Sequence, residues 1–71
     1  MHQFQRGTIY IEQLHTPGEY HKIPDRLHTE YKEMCKALDA DKAIEFEDAN
    51  GSPTYIPKHN IAELKFKPNT N

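Results

Sequence analysis

Residues 42–56, Lys42-Ala43-Ile44-Glu45-Phe46-Glu47-Asp48-Ala49-Asn50-Gly51-Ser52-Pro53-Thr54-Tyr55-Ile56, decide how this chain is read. Ile44 and Phe46 alternate with Glu45 and Glu47, the period of a half-buried strand, and Asn50-Gly51 then gives a hairpin signal. Two registers compete. A two-residue turn at Asn50-Gly51 faces Phe46 with Tyr55 and puts Ile56 opposite Glu45. A three-residue Ala49-Asn50-Gly51 loop sets Ile44 against Ile56 and Phe46 against Thr54, with Glu45 beside Tyr55 and Glu47 beside Pro53 on the other face. The second register keeps apolar residues together and suits Gly51 at the left-handed position of a bulged turn, so it is the one expected.

Working downstream, Pro57 has no amide hydrogen and ends the strand. Lys58-His59-Asn60 makes a turn. Ile61 to Lys67 alternates again, with Ala62, Leu64 and Phe66 inward and Glu63, Lys65 and Lys67 outward. These three segments predict an antiparallel meander over 42–67, followed by a polar tail at 68–71. Working upstream, Leu27, Tyr31, Met34, Cys35 and Leu38 recur at helical spacing, and Asp25 after Ile23-Pro24 is a suitable N-cap, which predicts a helix over 25–39. Residues 15–24 show no period and contain the turn dipeptide Pro17-Gly18, so they read as a loop. Ile9 and Ile11 alternate with Thr8, Tyr10 and Glu12, which predicts a strand at 7–14, added at a sheet edge.

The expected fold is therefore a small α+β domain of order β-α-β-β-β, an antiparallel sheet with one amphipathic helix on one face. Its core is expected to hold Ile9, Ile11, Leu27, Tyr31, Met34, Leu38, Ile44, Phe46, Ile56, Ile61, Leu64 and Phe66. The 71 residues allow one domain, and they are polar: 35% hydrophobic, 28% charged, with a formal charge of −2. No apolar run approaches the roughly 20 residues of a membrane span. The first fifteen residues contain no apolar stretch of the secretory type. The single cysteine, Cys35, rules out an internal disulfide and fits a reducing cytoplasm. A core this thin raises the expectation of a homo-oligomer. Phe4, Tyr10, Leu14 and Tyr55 are apolar or aromatic residues outside the expected core, and they form the candidate self-association surface.

Five histidines invite a metal reading, yet no pair has zinc-ligand spacing. His28 and Cys35 lie about 10.5 Å apart along a helix axis. His15 and His21 flank the Pro17-Gly18 turn without an evident third ligand. No metal or other cofactor is expected. Ser52 stands in a hairpin tip, Cys35 lies on the apolar stripe, and no phosphate-cradling glycine loop is present, so no enzyme is expected either. The negative net charge argues against nucleic acid, whose binding rests on neutralising phosphates. His15, Tyr20, His21, Lys22, Arg26 and His28 gather around the start of the helix, where unpaired N–H groups and a fork-shaped guanidinium can hold an anion. They form the expected binding site, for an acidic patch on a partner protein or a small phosphorylated ligand. The functional expectation is a small non-enzymatic module, an inhibitor or adaptor that occupies a partner protein, of the kind phages and mobile elements encode. The alternatives are a protein that sequesters a nucleotide-like anion at a subunit junction and a nucleic-acid-binding regulator.

Overall fold

The computed structural model describes residues 5–47 and 50–69. Phe4, Asp48, Ala49 and the end of the polar tail lie outside the described residues. The elements are β1 (Arg6–Gln13), β2 (Tyr20–Leu27), α1 (His28–Asp39), β3 (Ile44–Glu47), β4 (Pro53–Ile56), a short 3-10 turn (Lys58–Asn60) and β5 (Ile61–Pro68). Strands β2, β1 and β5 form one sheet in that order, and β3 and β4 pair with each other. All pairings are antiparallel. Helix α1 packs over β5, β2 and β1 and reaches β3. The α+β class and the helix on one face of antiparallel strands are those expected.

The β3–β4 register is the predicted one. Ile44 faces Ile56, Glu45 faces Tyr55, Phe46 faces Thr54 and Glu47 faces Pro53. Gly51 takes φ +79°, the left-handed conformation that a side chain would strain. β4 stops at Ile56, just before Pro57.

Four expectations about the elements and their pairing need correction. The loop at 15–24 ends early, because Tyr20–Leu27 is a strand paired along β1. Pro24 hid it, but a proline is tolerated on an edge strand where its missing N–H faces outward. Second, Asp25 is not an N-cap. Gly7 pairs with Arg26 and Ile9 with Ile23, so Pro24 and Asp25 together face Thr8 in a bulge. Asp25 adopts φ 62°, and Arg6 Nη1 donates to its carbonyl at 3.0 Å. The helix therefore begins at His28, after Leu27, whose N–H is capped by Glu30 Oε2 at 2.8 Å.

Third, β1 is the central strand, not an edge. Fourth, β5 leaves the predicted 42–67 meander: only β3 and β4 pair within it, and β5 returns to lie along β1. Gly7 permits that return, since a Cβ there would strike the Lys67 carbonyl and the Phe66 ring.

The core proper is Ile9, Ile11, Ile23, Ile44, Phe46 and Ile56, with Tyr31, Met34, Ala37, Leu38, Ile61, Leu64 and Phe66 packed against it. Ile23 enters because its segment is a strand, and Leu27 falls outside because it leads into the helix. Ala62, expected inward, is exposed. An extra residue in β5 between the partners of Glu12 and Gln13 shifts the alternation and turns Ile61 toward Gln13 instead. No helix residue is fully buried. The apolar stripe of α1 packs on the core but is not completely covered.

Candidate functional site

The alternation of β1 places Thr8, Tyr10 and Glu12 on the face opposite the buried Ile9 and Ile11. Antiparallel pairing then fixes their neighbours. Tyr10 lies between Lys22 of β2 and Lys65 of β5, Glu12 lies between Tyr20 and Glu63, and Thr8 stands beside Lys67. Helix α1 covers the other face, so these residues form an open, amphipathic platform.

Local contacts hold this platform in order. The Tyr10 and Tyr20 rings meet edge to face, with centroids 6.0 Å apart. Lys65 Nζ stands 4.9 Å from the Tyr20 ring centre and 5.9 Å from that of Tyr10, within reach of a cation–π attraction. Tyr20 donates its hydroxyl hydrogen to Glu63 Oε1 at 2.8 Å, a bond that spans the whole sheet. That hydrogen bond holds the Tyr20 phenol above its ordinary pKa, with desolvation and the nearby Glu12 carboxylate adding to the effect. Glu12 is itself engaged, accepting from the Gly18 N–H at 2.6 Å. Both platform carboxylates thus have internal donors. Lys22 and Lys67 point no ion pair toward an acidic group among the described contacts.

The predicted site residues do not converge. Tyr20 and Lys22 join the platform. His21 points to the opposite side, where its ring packs on Phe46 at 5.6 Å and its Nε2 meets Gln13 Nε2 at 2.8 Å. His15 is exposed in the β1–β2 turn. His28 packs against Phe66 at 5.1 Å and Tyr31 at 5.7 Å. Arg26 borders a cleft of about 170 Å³ with Ile9, Ile23, Met34 and Phe46. Its guanidinium lies 3.9 Å from Glu30, and its Nε is shielded from solvent with no acceptor among the described residues. Because Glu30 caps the helix start and faces Arg26, that start already carries a negative charge.

Of the candidate self-association residues, Tyr10 sits at the centre of the platform. Leu14 is 61% exposed at the end of β1, and Tyr55 is 69% exposed on β4. Lys65 stands on the platform but outside the expected site; its signal in the sequence is the lysine alternation of β5, which reads equally as protection of an edge.

Among the described residues no three His, Cys, Asp or Glu side chains come together to hold a metal ion, and no helix is long and apolar enough to cross a membrane. No family model, curated protein or solved structure matches the chain.

Proposed function

We propose that this chain is a non-enzymatic binding module, an inhibitor or adaptor, that occupies a partner protein by laying the open face of β2-β1-β5 on an acidic patch of that partner. The observation that supports this most is the ordered row Lys22–Tyr10–Lys65 with Tyr20 beside it. Tyrosine offers a broad contact surface at low entropy loss and is enriched among residues that dominate binding energy. The platform acids are already bonded within the chain, whereas Lys22 and Lys67 make no ion pair among the described residues and can meet a partner's carboxylates.

The test places a photo-crosslinking residue at position 22, and separately at position 32 on the exposed side of α1, in cells that make the protein. A discrete protein adduct from position 22 alone is expected. The combination Tyr10→Ala with Lys22→Ala is expected to reduce its yield roughly tenfold, equal to about 1.4 kcal/mol. Equal adducts from both positions contradict the proposal.

A second reading has its own support in the same face. Two tyrosine rings and neighbouring lysines also suit a flat, phosphorylated small molecule. That reading expects a thermal shift with nucleotides that Tyr10→Ala abolishes, and no protein adduct.

A further inference from the structure

The geometry points to a second copy of this chain as the occupant of the outer edge of β5, in a two-fold dimer centred on Leu64 that joins the two three-stranded sheets. The argument starts from the direction of the backbone groups. The Asn69 N–H bonds the Arg6 carbonyl at 2.9 Å, and antiparallel pairing alternates from there along the register. Glu63, Lys65 and Lys67 therefore direct their N–H and C=O groups to β1. Leu64 and Phe66 direct theirs to the outer edge, where no described strand pairs with them. Pro68 fits the same alternation, since its missing N–H falls on the open side.

Side-chain charge selects both the partner and the register. In an antiparallel pairing of two β5 strands, directly opposite residues share a face. Centring on Lys65 sets Lys65 against its own copy. Centring on Phe66 sets Lys65 against Lys67 twice. Centring on Leu64 sets Glu63 against Lys65 twice and Leu64 against Leu64, with no like charges opposed, and the bulge at Ala62 lies just beyond these pairs. Within one chain Lys65 Nζ already lies 3.8 Å from Glu63, so the seam would carry four alternating charges.

The helix supplies a second observation. α1 lies over β5, with Tyr31 packed on Phe66 at 5.7 Å, yet none of its residues is fully buried. Bringing two β5 strands together brings two such incompletely buried helices to one seam. The two open faces then run side by side as one six-stranded surface. This contact is distinct from the Tyr10, Leu14 and Tyr55 positions.

Sedimentation equilibrium over a concentration series tests the proposal. The wild-type chain is expected to show a monomer–dimer equilibrium. Lys65→Glu sets acid against acid across the seam and is expected to weaken the dimer about tenfold or more. Glu63→Lys is expected to do the same, and the double variant to restore dimerisation. Lys67→Glu, which lies outside the paired Glu63–Lys65 stretch and faces no acidic residue across the seam, is expected to leave the dimer nearly unchanged. Circular dichroism checks that each variant folds; both exchanged side chains are about half exposed, at 50% and 45%. A single monomer mass at every concentration overturns the proposal. So does a dimer that ignores the reversals, or a double variant that stays monomeric.

Discussion

The two outer edges of the three-stranded sheet are built differently. Along β2 the edge is interrupted by Pro24 and then by Asp25 at φ 62°, with Arg6 bonded to the Asp25 carbonyl. Along β5 the irregularities lie at the two ends, a bulge at Ala62 and Pro68 as the last residue, and the pairing with β1 between them is regular from Glu63 onward. A bulged, proline-bearing edge presents no regular row of donors and acceptors to another strand, and a regular edge does. The comparison teaches where this fold can grow. One side of the sheet is closed by backbone geometry, and the other is left open with a charge pattern that discriminates among partners.

Both edges depend on β1, so the largest expected effect comes from its buried side chains. Ile9 and Ile11 are fully buried. Ile9→Ala or Ile11→Ala is expected to lower stability by about 2–5 kcal/mol in urea unfolding, because the cavity opens beneath both neighbouring strands. Gly7→Ala acts on the β5 side alone. Its new methyl group meets the Lys67 carbonyl and the Phe66 ring, and a loss of about 1–3 kcal/mol is expected, with the amides near Lys67 exchanging faster. A loss confined to the β2 side would break the comparison.

The β2 edge is probed at Asp25. Asp25→Gly keeps the left-handed backbone without strain, whereas Asp25→Val forces a β-branched residue into it. The valine variant is expected to be about 1–2 kcal/mol less stable than the glycine variant. Equal stabilities would mean that the bulge has relaxed into regular pairing.

The smallest effect lies in the link between the two edges, the bond from Tyr20 to Glu63. A group whose pKa is raised by folding contributes stability that is complete below its ordinary value, 10.0 here, and lost as pH rises through the folded value. Phenolate absorbance should therefore show Tyr20 ionising later than a free tyrosine, and Glu63→Gln should reduce the delay. Wild type and Tyr20→Phe should differ in stability at neutral pH and converge in strong base.

What was legible in the sequence was local. Asn50-Gly51 and the apolar alternation around it gave the β3–β4 register residue by residue, because a tight turn and a two-faced strand leave little choice. The helix is legible through its stripe, although it starts at His28, three residues after the expected Asp25. What failed was non-local. Nothing in Ile61–Pro68 distinguishes a strand paired with its sequence neighbour from one paired with β1 across the chain. The strand at Tyr20–Leu27 was concealed because its bulge breaks the alternation just after Ile23. The predicted site dispersed for the same reason. Residues close in sequence read as one loop, whereas a strand sends Tyr20 and Lys22 to one face and His21 to the other.

The open β5 edge is tested most directly by residue-resolved amide exchange at low and high protein concentration. The Glu63, Lys65 and Lys67 amides, bonded to β1, should be protected at both. The Leu64 and Phe66 amides should exchange freely when dilute and become protected as concentration rises. Exchange at Leu64 and Phe66 that is the same at both concentrations would contradict the account.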